Sequence, residues 1–372
     1  MNKVVFLIGV LISICVLACN PDSNSVSRNG NLIEYTGRVD FRNIDSPEFS
    51  YSGVSIRTAF EGASVSVRLY DEQGENEFYA ILDGNVVKRF RLKKGSNEYN
   101  IASNLKDTIH EIELVRLTEC LFGITKFEGF ILDKNNSLIP LTKNRELLFE
   151  FIGNSITCGY GNEGTLDDSF SSTTENHYNT YAAITSRAFN ARHMVVSRSG
   201  IGIYRNYDGP KEGNKDCMPN IYHQIHYDDT TLTYGFEENP DLIFINLGTN
   251  DFSTAGCDSG LFVQGYLEFI DDIQQKNEGV GIVCLLGSML GGESLIKARN
   301  YIKTIVELAS AKEKGNVYFF EMSEQQTPYG IDYHPTTQQH LINAKELINF
   351  VHKIKGWEIN TNQIKLASTG IN

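Results

Sequence analysis

Phe149-Glu150-Phe151-Ile152-Gly153-Asn154-Ser155-Ile156-Thr157 is the stretch on which the reading of this chain turns. Leu147 to Ile152 is an apolar run of strand length, and Gly153-Asn154-Ser155 ends it abruptly. A glycine lets the backbone bend tightly, so Ser155 can stand at the carboxyl end of a strand, at the mouth of an α/β sheet. A serine nucleophile belongs there, its hydroxyl exposed and a helix N-terminus near the developing negative charge. Taken alone, the stretch fits equally an ordinary strand-turn-helix junction with Ser155 as N-cap.

The chain downstream of Ser155 favours the nucleophile. Tyr181 to Arg192 has helical spacing, Met194-Val195-Val196 is a short strand ending near Gly200, and Leu242 to Leu247 is a buried strand ending in Gly248-Thr249-Asn250-Asp251. Helical spacing returns over Leu261 to Gln275 and Leu295 to Lys312, with apolar strands at Val280 to Leu286 and Val317 to Phe320. Beyond Asp332-Tyr333-His334-Pro335, Thr336 caps a closing helix to about Lys355. Strands alternating with helices over residues 146–356 predict a parallel sheet covered on both faces. Ser155, Gly200, Asn250 and His334 all lie beyond apolar strands, and the carboxyl ends of such strands converge on one crevice.

Upstream, residues 31–145 have period two. Val54 to Phe60, Val65 to Leu69, Phe78 to Leu82, Val86 to Leu92, His110 to Leu117 and Gly129 to Leu132 read as strands, with Asp83-Gly84 a strong hairpin signal. Many short strands without a helix predict a β-sandwich of jelly-roll type. It either packs on the second domain and shapes its site or binds glycan by itself. The tail, residues 357–372, reads as irregular, with Trp357 a packing residue.

The N-terminus reads as an export signal. Lys3 precedes an apolar run that ends at Val16-Leu17-Ala18-Cys19, too short for a membrane span. It resembles a bacterial lipoprotein signal over residues 1–19, with Cys19 the lipid-bearing residue, and residues 20–30 follow as a flexible tether. Net charge is -13, which argues against nucleic acid or an anionic membrane surface as partner. Beyond Cys19, Cys120, Cys158, Cys217, Cys257 and Cys284 have neither a disulfide framework nor zinc-site spacing and read mostly as small buried hydrophobes.

The ordered set Gly153-Asn154-Ser155, Gly200, Gly248-Thr249-Asn250-Asp251 and Asp332-x-His334 resembles the four blocks of the SGNH (GDSL-type) hydrolases. Adding the sandwich, with Glu111-Ile-Glu-Leu-Val-Arg-Leu-Thr-Glu119, and the run Gly153-Asn-Ser-Ile-Thr-Cys-Gly-Tyr-Gly161, the chain resembles carbohydrate esterase family 2 from about residue 30 to 356. That resemblance implies an exported, cofactor-free carbohydrate O-acetylesterase acting on acetylated plant polysaccharides, with membrane contact through the lipid anchor alone. It implies Ser155 as nucleophile, His334 as proton carrier, and Ser155 N–H, Gly200 N–H and the Asn250 amide as oxyanion donors. Two departures stand out. Asn154 replaces the usual block-one acid, and Asp332 precedes His334 by two residues where the pattern has three. Asp332 is the candidate orienting acid; the alternative is a backbone carbonyl and a Ser-His dyad. Tyr204, Arg205 and Asn206 are candidates for a sugar subsite, Asp251 reads as a helix cap, and His177, His193, His223, His226 and His340 as surface or satisfied core residues. A GDSL-type lipase and a non-catalytic glycan-binding lipoprotein are the rival readings.

Overall fold

The computed structural model describes residues 26–27, 32–141, 145–254, 256–312 and 316–367. The expected export signal and Cys19 lie outside the described residues. Of the expected tether only Val26–Ser27 is described, and it pairs as a strand with Phe130 and Ile131 rather than hanging free.

The N-terminal domain is a two-sheet antiparallel sandwich. Its strands are β1 (Val26–Ser27), β2 (Glu34–Thr36), β3 (Glu48–Phe49), β4 (Ser55–Gly62), β5 (Val65–Asp71), β6 (Glu77–Leu82), β7 (Asn85–Arg91), β8 (Gly95–Ala102), β9 (Thr108–Arg116), β10 (Thr125–Leu132) and β11 (Leu138–Ile139). One sheet runs β1-β10-β5-β8 with β3 on β10, and the other β11-β4-β9-β6-β7 with β2 on β4. Asp83 and Gly84 take positive φ (50° and 78°) between paired Leu82 and Asn85, the backbone that a two-residue hairpin needs. β8 escapes the sequence pattern because it is an edge strand of largely polar residues, half-exposed or exposed in alternation until Ile101 enters the core.

β6 is buried along its whole length because both its faces are covered. Phe78, Ala80 and Leu82 enter the sandwich core with Ile56, Val67 and Leu114. Tyr79 points the other way, its ring edge-on to Tyr178 (5.4 Å) and its hydroxyl accepting from Asn176 Nδ2 (2.9 Å), both in the second domain. The second sheet is therefore the middle layer of the protein, not its outside.

The second domain has a five-stranded parallel sheet: β12 (Leu148–Gly153), β13 (Arg192–Ser197), β14 (Leu242–Asn246), β15 (Gly281–Leu286) and β16 (Val317–Glu321), in the order β13-β12-β14-β15-β16. Its helices are α1 (Ser155–Cys158), α2 (Tyr181–Ala188), α3 (Met218–Ile221), α4 (Ser259–Lys276), α5 (Gly292–Ser310) and α6 (Thr337–Lys355). Ile152, Ile243 and Ile245 pack with Phe262, Phe269 and Ile302 of α4 and α5 on one face. Phe149, Phe151 and Phe244 pack with Ile184 and Leu347 of α2 and α6 on the other. α2 stops at Ala188 and Arg192 begins β13, so the predicted helix to Arg192 is too long by one turn. Strand order reverses at β12, which places the end of β12 at the topological switch point, where open α/β sheets bind ligands. The tail is not loose: Trp357 stacks on Phe149 (5.7 Å), and Asn360 and Ala367 donate backbone hydrogen bonds to Ala188 and Asn179.

An ion pair buried on both sides joins the domains. Arg38 Nη2 of the sandwich donates to Glu150 Oε1 of β12 at 3.0 Å, and Nη1 to the Tyr222 carbonyl at 2.5 Å. Glu150 Oε2 accepts from the Tyr222 hydroxyl at 2.9 Å. Removing one partner of such a pair strands a buried charge, which costs about 3–5 kcal/mol. Arg38→Ala is expected to lose stability in that range in urea unfolding. The loss should be read by fluorescence of Trp357, the only tryptophan, which reports the domain that Arg38 does not belong to.

Candidate active site

Asn154, not Ser155, is the N-cap of α1: its Oδ1 accepts from Ile156 N at 3.0 Å. Ser155 is thereby the first helical residue, 7% exposed, where β12 ends. Gly153 is needed for a close approach, since a Cβ there would lie 2.0 Å from Thr157 Oγ1.

His334 Nε2 lies 2.8 Å from Ser155 Oγ. On the other side of the ring, Nδ1 lies 3.0 Å from the Ile331 carbonyl. A carbonyl only accepts, so Nδ1 carries the proton and Nε2 offers its lone pair to the serine. The candidate acid does not take part in this geometry. Asp332 and Tyr333 adopt left-handed backbone (φ 49° and 62°), and the exposed Asp332 carboxylate accepts from the Tyr160 hydroxyl at 2.8 Å instead. Tyr160 lies against the imidazole (centroids 4.4 Å apart) and is backed by Phe170 (3.7 Å). The histidine loop is tied to the nucleophile segment, because Ile331 N donates to the Gly161 carbonyl at 3.1 Å. Burial holds the His334 pKa below the ordinary imidazole value, which keeps the ring neutral at neutral pH.

Gly200 follows β13 with φ 78°, and a Cβ there would meet only Tyr207 Cβ at 3.9 Å. The position takes left-handed backbone, which glycine adopts without strain, and its Cβ direction is open. Asn250 Nδ2 donates to the Ile201 carbonyl at 2.7 Å, bonding the turn after β14 to the Gly200 loop and leaving its second amide hydrogen for a ligand. Asp251 is no helix cap. Buried, it accepts from the N–H groups of Ile203 (3.0 Å), Tyr204 (3.0 Å) and Arg205 (3.2 Å), and burial pushes its pKa up to about 6.

Tyr204, Arg205 and Asn206 do not form a sugar subsite. Arg205 is fully buried and donates to the carbonyls of Gly209, Asp251, Ser253 and Gly256, so its charge is spent on loop backbone. Asn206 accepts from Gly202 N and donates to Asp216, while the Tyr204 hydroxyl accepts from Asp258 N. Tyr207, one residue further on, is 64% exposed and donates its N–H to the Gly200 carbonyl. A tyrosine a few residues beyond the Gly200 turn is the sequence signal that could have singled it out.

The other histidines sit in structural contacts. His177 and His193 bond each other through Nε2 (2.7 Å), His226 bonds Ser50, half-exposed His223 bonds Asp272, and His340 accepts from Tyr181 N. Burial pushes His177 down to about 4 and His340 to about 3, so both are neutral. The five described cysteines are free thiols, all buried except the half-buried Cys257. Among the described residues two three-donor groups have ligand atoms within 4.8 Å of one another, Asp40-Glu48-His226 and Glu119-Cys158-Glu175; neither includes Ser155 or His334.

This geometry can be set beside known proteins. Residues 35–141 match the carbohydrate esterase 2 N-terminal model and residues 151–342 the GDSL-like lipase/acylhydrolase model. A family two carbohydrate esterase from Clostridium thermocellum, solved in complex with cellohexaose, is 35% identical with a TM-score of 0.83, covering 87% of this chain and 99% of that one. The chain belongs to carbohydrate esterase family 2. The cellulase/esterase CelE of Acetivibrio thermocellus is 35% identical over 90% of this chain, which spans only 41% of that relative's length. An acetylxylan esterase / glucomannan deacetylase of Cellvibrio japonicus is 28% identical over 83% of this chain and 86% of its own.

For this family 2 esterase the oriented imidazole makes two predictions. Asp332→Asn is expected to keep kcat within about tenfold of wild type, not the ~10⁴-fold loss caused by disabling a triad aspartate. The acid limb of kcat/KM, where Nε2 gains a proton and ceases to be a base, should fall below the ordinary histidine pKa of about 6.5. Asp332→Asn should move it lower still, because the Asp332 charge favours the imidazolium. Both are read from p-nitrophenyl acetate hydrolysis between pH 4 and 9.

Proposed function

We propose that this family 2 esterase removes O-acetyl groups from plant polysaccharides of xylan or mannan type by Ser-His acyl transfer. The carrying observation is the 2.8 Å Ser155 Oγ to His334 Nε2 contact with Nδ1 held by the Ile331 carbonyl. Ser155 Oγ attacks the acetyl carbonyl as its proton passes to Nε2. The imidazolium gains from the Ile331 carbonyl and from the Tyr160 ring face. The oxyanion lies toward Ser155 N–H, Gly200 N–H and the free Asn250 amide hydrogen. As the tetrahedral species collapses, Nε2 returns the proton to the sugar oxygen; water then repeats the cycle on the acetyl-serine and releases acetate.

A sugar substrate is supported by exposed rings beside the reacting residues: Tyr207 next to Gly200, and Tyr333 (63% exposed) adjoining His334. Such rings stack on the flat faces of pyranoses, while a long acyl chain would want an aliphatic mouth. The names of the Cellvibrio japonicus relatives point the same way. The protein is further proposed to be exported and anchored by a lipid on Cys19, on the strength of Lys3, the apolar run and Ala18-Cys19. Among the described residues no helix is long and apolar enough to cross a membrane.

Hydrolysis of p-nitrophenyl acetate, butyrate and octanoate tests this. Turnover should be fastest on acetate, vanish in Ser155→Ala, fall by about 10²–10³ in Asn250→Ala, and extend to acetylated xylan or mannan. A preference for octanoate would favour the lipase reading.

A further inference from the structure

The run Glu111 to Glu119 belongs to the sandwich, and the acyl-transfer reaction uses none of it. Glu119 lies just past β9 and is fully buried where the domains meet. Its carboxylate grips Ser199 twice: Oε2 accepts the Ser199 N–H at 2.7 Å and Oε1 the Ser199 hydroxyl at 2.5 Å. Oε2 also accepts from the Cys158 thiol at 3.7 Å. Ser199 immediately precedes Gly200, and Cys158 closes the helical turn that Ser155 opens. One carboxylate of the first domain therefore touches two of the segments that carry the site, the nucleophile turn and the Gly200 loop.

The backbone bearing Glu119 is itself fixed. Buried Arg116 donates to the carbonyls of Thr118 (3.0 Å), Glu119 (3.0 Å) and Gly123 (2.8 Å), and the Thr118 hydroxyl donates to Asn76 Oδ1 at 2.7 Å. Glu119 N–H donates to Oε2 of Glu175 at 2.9 Å, and Oε1 of Glu175, also buried, has no hydrogen-bond partner among the described residues. Two buried carboxyl groups this close do not both ionise. Burial and the neighbouring Glu119 charge push Glu175 well above the carboxylate range; burial raises Glu119 too, opposed by the Ser199 and Cys158 donors that favour its ionised form. The donors that favour a negative charge gather on Glu119, on the side of the oxyanion loop.

We propose that Glu119 is a positioning residue for the oxyanion hole: through it the β-sandwich sets the direction in which the Gly200 N–H meets the reacting ester. This rests on the acyl-transfer reading, in which that N–H is a donor. Glu119 touches no reacting atom; it acts through Ser199. The sandwich is then part of the turnover machinery, beyond any contribution it makes to stability or glycan capture.

The test uses Glu119→Gln, Ser199→Ala, Ser199→Thr and the Glu119→Gln/Ser199→Ala double variant in the full chain, assayed on p-nitrophenyl acetate beside Asn250→Ala and Ser155→Ala. Glutamine keeps the shape but cannot accept at both Ser199 donors. Glu119→Gln is expected to lower kcat about 10- to 100-fold, the scale of a displaced catalytic group, with KM within about twofold. Ser199→Ala should show a smaller loss of the same kind, Ser199→Thr should recover it by restoring the hydroxyl, and the double variant should be no slower than Glu119→Gln. If Glu119→Gln fails to give the wild-type Trp357 emission, the Ser199→Ala and Ser199→Thr pair decides, since it removes and restores one bond of a half-buried residue. Wild-type kcat in Ser199→Ala and in any folded Glu119→Gln, with Asn250→Ala still impaired, would overturn the positioning role and leave acyl transfer standing. Losses that simply add in the double variant would also overturn it. Full activity in Ser155→Ala and Asn250→Ala would instead remove the acyl-transfer reading, and the role of Glu119 with it.

Discussion

The buried pair Arg38–Glu150 is the contact on which the architecture depends. Glu150 lies within β12, the strand that carries the nucleophile turn, in a sheet whose faces are otherwise sealed by isoleucine and phenylalanine. A carboxylate there is stable only if a cation is delivered to it, and the cation comes from the other domain. Arg38 is in turn enclosed by rings, its guanidinium 4.0 Å from the Tyr234 centroid and 4.9 Å from Tyr222. Each domain thus holds a charge it cannot bury alone. With Tyr79 on Tyr178 and Glu119 doubly bonded to Ser199, the sandwich and the α/β unit share one interior.

On that frame the site is assembled largely by the main chain. The Gly161 carbonyl holds Ile331, the Ile331 carbonyl holds His334, and the Ile201 carbonyl holds Asn250. The charged side chains nearby serve the loops: Asp251 gathers three backbone N–H groups, and Arg205 satisfies four carbonyls. Neutral groups meet the reacting atoms and the charges stand one layer back, so the imidazolium is the one new charge the histidine side of the site must support.

Strand ends made much of this legible. Ser155, Gly200, Asn250 and His334 were placed correctly relative to the sheet because apolar runs mark its strands and topology gathers their carboxyl ends. Side-chain direction was not legible. The spacing of Asp332 and His334 left carboxylate and carbonyl both open, and two consecutive left-handed residues, neither of them glycine, decide for the carbonyl. Nearness in sequence to Gly200 misleads for Arg205 and Asn206, since a loop that turns back on Asp251 sends both inward, leaves Tyr204 half-buried and sets Tyr207 outside. Glu119 stood out for its family pattern, but its partner Ser199 is 80 residues away in another domain, a distance no local period reports. β8 was missed because a polar edge strand has no stripe to read.

Orientation of His334 by a carbonyl also bears on how such a chain can change over time. A carbonyl belongs to every residue type, so position 331 keeps its hydrogen-bonding role through any substitution that preserves the backbone path. Asp332 is released from orienting the imidazole and keeps only its bond to the Tyr160 hydroxyl and its left-handed backbone. The selective pressure moves instead to conformation: to Gly330, whose Cβ would come within 2.6 Å of the Gly161 carbonyl, and to Gly161 itself, where a Cβ would come within 2.5 Å of Ile331. In lineages built this way, loss of the acid beside the histidine is a poor mark of lost activity. Loss of either glycine is the better one.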